Sequence, residues 1–315
     1  MNTSDSARRA GTRTNWNLAS QHGRTFVVTG ASSGIGAATA HALAAAGARV
    51  ILAVRDLAKG RAVAATMAAR PQVGQLDLAD LASVRRFADT LRDDIDVLIN
   101  NGGIMGVPYQ RTADGVEAQI ATNHLGPFAL TGLLMPRIRD RVVTVSSQAH
   151  RQGRLDLDDL DYERRRYDPS AAYARSKLAN LLFAYELQHR LSAAASPVRS
   201  LAAHPGLSQS NLMRQAADTT RLRLTAFVQR HLGQPTDLGA LPVLFAASAE
   251  LPGGSYTGPD GFYQLRGQPM LVDSSTASKN RDTATRLWEL SQHLTGVDYD
   301  LTQGPRREPG RTSQS

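Results

Sequence analysis

The 315-residue chain contains no cysteine. A disulfide framework, a thiolate metal site and a cysteine nucleophile are therefore excluded, and a reducing compartment is permitted without being required. Lysine is almost as scarce: Lys59, Lys177 and Lys279 stand against 33 arginines. The opening MNTSDSARRAGTRTN lacks the apolar stretch of a secretory signal. Charge is missing over the 24 residues from Thr25 to Ala48, yet their Thr, Ser, His and Gly content makes a poor lipid-facing helix. The net charge of +8 has no concentrated basic stripe. Arg8, Arg9 and Arg13 against Asp5, and Arg306, Arg307 and Arg311 against Glu308, place half of it in polar tails. Nucleic acid and anionic membrane are thus disfavoured as partners.

What is present is an alternation. Short β-branched runs alternate with longer Ala/Leu-rich segments of helical spacing. Strands are predicted at 25–30, 48–54, 73–78, 96–101, 141–147, 198–206 and 261–265. Helices are predicted at 35–46, 57–69, 80–93, 112–135, 170–192 and 236–248. RDTATRLWELSQHLTG reads as a capping helix docked by Leu287, Trp288 and Leu290. Near-continuous apolar strands are those of a parallel sheet covered on both faces, so the expectation is a doubly wound α/β fold with ligands at the strands' C-terminal ends. One domain is expected over 21–300, between a polar leader (1–20) and a polar tail (301–315). Two segments break the rhythm: a charged insert at 148–169, and residues 207–233, whose apolar and basic mixture suits a substrate lid.

TFVVTGASSGIGAATAHALAAAG is a strand, a glycine-rich turn and a helix. Gly30, Gly34 and Gly36 lie in the turn with Ser32, Ser33 and Ile35. A missing Cβ lets backbone approach a pyrophosphate, and the helix N-terminus offers it unpaired N–H groups. The uncharged stretch is therefore an interior strand and a buried small-residue helix. A second signal is Lys177, four residues after Tyr173 and so on the same helix face. A free phenol titrates at about 10. An ammonium nearby is expected to lower that value toward a useful acid/base range. A slim amine with three donors does this better than a planar guanidinium. Alone, such a pair is ordinarily a solvated face.

The pair is not alone. The TG-x-x-x-G-x-G spacing, NNGG at 100–103, Asn123 in TNHLGPF, VSS at 145–147, YARSK at 173–177 and HPG at 204–206 together resemble the short-chain dehydrogenase/reductase superfamily. VRDLAKG, TVSSQAH and YARSKLANLLF are similar to its retinol dehydrogenase-like branch, which has bacterial relatives; the resemblance covers about residues 24–300. NNGG departs from the usual NNAG at Gly103, where the lost methyl is expected to loosen packing slightly.

The resemblance implies a single-domain Rossmann-type fold, with a seven-stranded, mostly parallel sheet and helices on both faces. It implies that Ser147 hydrogen-bonds the reacting oxygen, Tyr173 exchanges its proton, Lys177 holds the nicotinamide ribose, and Asn123 keeps a kink and a relay water. Ser146 is the rival serine, since strand alternation lets only one of the two face the cleft. Asp77 and Leu78 would meet the adenine, and Asn101, Gly102 and Gly103 would follow the nucleotide. Pro205, Gly206, Leu207 and Ser210 would sit beside the nicotinamide, as would Tyr173 and Lys177. Where NAD-preferring members end the second strand on a carboxylate, this chain reads Val54–Arg55. A guanidinium pairs with a 2′-phosphate, so the expected coenzyme is NADP(H). His124 and His204 lack nearby partners at metal-binding spacing, so structural roles and no metal are expected.

The expected function is hydride transfer between NADP(H) and a carbonyl or alcohol carbon of a small apolar substrate, polyketide-, steroid- or retinoid-like, in the direction of ketone or aldehyde reduction. A cytoplasmic protein without nucleic-acid partner or membrane anchor is expected; monomer and homo-oligomer both stay open. The alternative is a non-catalytic NADP-binding regulator, which would be expected to lack one of Asn123, Ser147, Tyr173 or Lys177; all four are present.

Overall fold

Along β1 (Thr25–Thr29), Phe26 and Val28 face one layer of core and Val27 the other. That is the two-residue alternation of a strand buried on both sides. The computed structural model describes residues 16–67, 70–208 and 233–302. After β1 come α1 (Gly34–Ala45), β2 (Arg49–Val54), α2 (Leu57–Ala65), β3 (Gln72–Gln75), α3 (Leu81–Thr90) and β4 (Ile95–Asn100). A broken helix follows: α4 (Ala118–Ile120), a π-helical turn (Ala121–Leu125) and α5 (Gly126–Leu134). Then come β5 (Ile138–Val145), α6 (Pro169–Ala193), β6 (Arg199–Ala203), α7 (Thr236–Ser248), β7 (Tyr256–Pro259), β8 (Pro269–Leu271) and α8 (Arg281–Thr295).

The sheet order is β3-β2-β1-β4-β5-β6-β7-β8, parallel throughout except for the antiparallel β7–β8 pair. Chain direction across the sheet reverses between β1 and β4, so a crevice opens outside their C-terminal ends. Ala40 and Leu43 of α1, Ala64 of α2 and Val243 of α7 cover one face. Phe87 of α3, Phe128 of α5, Phe183 of α6 and Trp288 of α8 cover the other. Helix starts are written in the sequence: Asp56, Asp80, Asp168 and Asn280 each accept a backbone N–H at the head of α2, α3, α6 and α8.

Two expectations change, and a third falls outside the described residues. Residues 261–265 are not a strand: Phe262–Gln264 form a 3₁₀ turn, and the sheet reaches eight strands through β7 and β8. The helix expected from 112 begins at Ala118, because Gly115 turns at φ 79° and Glu117 caps the N–H groups of Gln119 and Ile120. Of the expected lid at 207–233, residues 209–232 lie outside the described residues, as do 1–15 of the leader and 303–315 of the tail. Among the described residues no helix is long and apolar enough to cross a membrane.

Candidate active site

A cleft of about 1060 Å³ opens where the sheet topology predicts it. Gly30, Ser32, Ser33, Gly34, Ile35 and Gly36 line it at one end, with Arg55, Asp77 and Leu78. Asn101, Gly102 and Gly103 run along its floor, and Ser147, Tyr173, Lys177, Pro205, Gly206 and Leu207 line the other end. Of the expected cleft residues, Ser210 lies outside the described residues, and Asn123 stands just behind the floor.

The glycines are there for contact. A Cβ on Gly36 would lie 2.5 Å from Gly30 O, and one on Gly30 would lie 2.7 Å from Gly102 Cα. Gly30 is also left-handed, at φ 66°. Thr29 Oγ1 accepts from Asn101 N at 3.0 Å and Gly102 N at 2.8 Å, tying the floor to β1. No side chain caps the first turn of α1, so its N–H groups face the cleft. This is a cradle that only backbone can form, and it fits a pyrophosphate. Arg55 is exposed on the rim and forms no ion pair among the described residues. The neighbouring carboxylate, Asp56, is held by Lys59 at 2.9 Å.

At the other end, α6 presents Tyr173 and Lys177 on one face, with Lys177 Nζ 5.7 Å from the centre of the Tyr173 ring. Lys177 Nζ donates to Val145 O at 3.1 Å. Ser146 donates its hydroxyl to Lys177 O at 2.8 Å, and so faces the helix. Ser147 opens the 3₁₀ turn Gln148–Gln152 beside the Tyr173 phenol. Both serines line the cleft, and Ser147 is the one that meets the Tyr173 phenol. Asn123 lies within the π-helical turn, where Oδ1 accepts from Ile104 N and Nδ2 donates to Ile104 O and Ser176 Oγ. A Cβ on Gly103 would come within 2.8 Å of Asn123 Oδ1. Gly103 therefore makes room for Asn123, where looser packing was expected.

One electrostatic expectation is reversed. Burial pushes the Tyr173 phenol up to about 12, and the hydrogen bond with Ser147 offsets only part of this. Burial pulls the Lys177 amine down to about 8. The amine lies over the ring and its hydrogen bond goes to Val145 O, so the desolvation of both groups outweighs their attraction.

Residues 24–221 match the family described as short chain dehydrogenase. The chain belongs to that family. It is 37% identical to retinol dehydrogenase 13 of Homo sapiens, over 88% of this chain and 86% of the relative, and 39% identical to retinol dehydrogenase 12 of Homo sapiens, over 88% of each. A crystal structure of an uncharacterized protein from Mycobacterium Paratuberculosis shares 51% identity at a TM-score of 0.80, covering 91% of this chain and all of that one. A short chain dehydrogenase from Burkholderia cenocepacia in complex with NADP shares 26% identity at a TM-score of 0.59, over 75% of this chain and 95% of that one. The chain is thus an oxidoreductase of the short-chain dehydrogenase type, related to the retinol dehydrogenases.

Sequence reasoning missed much of the dehydrogenase's far wall. Ile104, Met105, Val107, Gln148, Gln152 and Leu265 line the cleft there. Their loop Ile104–Val107 is held by the 148–169 insert. Gln119 Oε1 accepts from Gly106 N at 2.8 Å, and Tyr167 accepts from Gln119 and donates to Val107 O at 3.0 Å. Beneath them Arg175 pairs with Glu117 at 3.2 Å, both side chains 1% exposed or less. Arg175 also donates to Leu160 O and stacks on Tyr162 at 4.3 Å. A single signal could have pointed to this strut: a charged side chain, Arg175, between two residues of a helix face already read as inward.

Proposed function

We propose that this protein is an NADP(H)-dependent reductase of ketones or aldehydes carried on a small apolar molecule. The observation that carries the reading is the meeting of Ser147, Tyr173 and Lys177 with the glycine cradle in a single cleft. The bound nicotinamide supplies the hydride. Ser147 Oγ donates to the substrate oxygen, and Tyr173 Oη delivers the proton that the developing alkoxide takes up. A phenol held up to about 12 is fully protonated near neutrality, which suits a proton donor to a carbonyl. Lys177 keeps two N–H bonds beyond the one given to Val145 O, enough to hold a ribose diol. Asn123 keeps the π-helical turn open and faces the amine from behind.

Arg55 at the rim, with Asp56 occupied by Lys59, supports a 2′-phosphate over a 2′-hydroxyl. Ile104, Met105, Val107 and Leu265 supply an apolar wall, and the names of the retinol dehydrogenases point to the same class of substrate. The test is NADPH consumption against a panel of retinoid, steroid and aromatic polyketide carbonyls, with coenzyme titrations of NADPH and NADH. Tyr173→Phe should bind NADPH with unchanged affinity and lose at least about 1000-fold in turnover. NADPH binding without turnover of any carbonyl by the unaltered protein would leave the non-catalytic regulator as the better reading.

A further inference from the structure

Behind Ser147 lies a polar cluster that this reaction does not call on. His204, at the end of β6, is fully buried, and its Nδ1 accepts from Gly206 N at 3.2 Å. The ring proton therefore sits on Nε2. That nitrogen lies 3.1 Å from Gln264 Oε1. Gln148, the residue after Ser147, donates its amide to the same oxygen at 2.5 Å. A single carboxamide oxygen thus gathers one donor from His204, whose ring also receives Gly206 N of the Pro205–Leu207 turn, and another from the turn that carries Ser147.

The backbone around Gln264 is bent to deliver that oxygen. Tyr263 and Gln264 are consecutively left-handed, at φ 49° and 56°, with no glycine to relieve them. No demand of the core explains this, because the side chains of Phe262 and Tyr263 are 81% and 76% exposed. The bend does place Leu265. Leu265 O accepts from Leu207 N at 2.7 Å, and a Cβ on Gly206 would meet that oxygen at 2.4 Å. Leu265 lines the cleft.

We infer that Gln264 is a positioning residue: its Oε1 locks the Ser147–Gln148 turn to the Pro205–Leu207 turn, and its backbone holds Leu265 as the cleft wall. The inference rests on the oxidoreductase reading for its effect on turnover, while the arrangement itself can be tested without it. Other ionisable groups around His204 are Tyr256 of β7, with ring centres 5.3 Å apart, and His150 and Arg151 of the turn after β5. Burial holds the imidazole down at about 4, so it stays a neutral donor to Gln264 across the working range.

Two variants separate positioning from folding. Gln264→Met keeps the length and removes the acceptor; kcat/KM should fall about tenfold while NADPH affinity changes less than about threefold. Gln264→Glu keeps the oxygen and adds a charge that raises the imidazole's proton affinity. Its pH–rate profile should gain a limb between about pH 5 and 8 that the unaltered protein lacks. Nitrogen-15 imidazole spectra should show His204 neutral and Nε2-protonated over that range in the unaltered protein, and titrating in Gln264→Glu. An Nδ1-protonated ring would overturn the inference, and so would Gln264→Met with unchanged kcat and KM. If the unaltered protein reduces no carbonyl, the enzyme reading fails, and the spectra still decide whether Gln264 receives His204.

Discussion

The glycine-rich end of the cleft and the end beside the insert reach their shapes by different means. At the first, Gly30 and Gly36 bring backbone atoms to within 3 Å of where a side chain would start, and the chemistry on offer is main-chain N–H. At the second, the wall Ile104–Val107 hangs on side chains: Gln119 and Tyr167 above, the buried Glu117–Arg175 pair beneath. A backbone-built site must keep its glycines wherever it occurs, since no side chain substitutes for an absent Cβ. A side-chain-built wall can be assembled from many residue types, provided every buried polar group finds a partner.

The sharpest way to break the comparison is at the insert end. Glu117→Gln leaves the Arg175 guanidinium buried and uncompensated, and folding stability should fall by about 3–5 kcal/mol. Urea unfolding reads this directly. A loss below about 1 kcal/mol would mean that the carbonyls of Asp159 and Leu160 and the Tyr162 ring suffice for the cation, and that charge does not build this end. At the glycine end, Gly36→Ala drives a methyl toward Gly30 O and Asn101 Nδ2. NADPH affinity should drop about 100-fold by fluorescence titration, with a smaller loss of folding stability than Glu117→Gln shows. Equal affinity in the variant would show that α1 can retreat without loss, and the cradle would not be what binds.

The same contrast explains what was legible in the sequence. The span from β1 to β2 was readable almost residue by residue, because continuous apolar runs and a glycine turn leave one interpretation. Ser147, Tyr173 and Lys177 stood out only through their company. Beyond β6 the reading failed for physical reasons. GFYQL has strand-like composition, yet Tyr263 and Gln264 are held left-handed by contacts distant in sequence. The true strands there, Tyr256–Pro259 and the edge strand Pro269–Leu271, are short and end or begin on proline, where local pattern reads as turn. The rise of the Tyr173 phenol was hidden too, since helical spacing brings an amine close but says nothing of how dry the pair becomes.

Lys177 belongs to the end opposite the glycine cradle but reaches the floor beside Gly103, and its titration sharpens the boundary between the two. Burial favours the neutral amine, so its proton leaves near 8 in place of 10.5. Below that value the ammonium is present and coenzyme affinity should be constant. Above it, each bound coenzyme must first recover a proton, and affinity should weaken as pH rises, by about tenfold between pH 7 and pH 9. Tyr173 does not contribute to this window, being protonated up to about 12. Titrating NADPH at both pH values, with Lys177→Met alongside, separates the two ends. The variant should bind more weakly at pH 7 and show no slope. A slope that persists in Lys177→Met belongs to a group elsewhere; a flat profile in both would mean that the cradle binds coenzyme without help from α6, and that Lys177 serves the insert end alone.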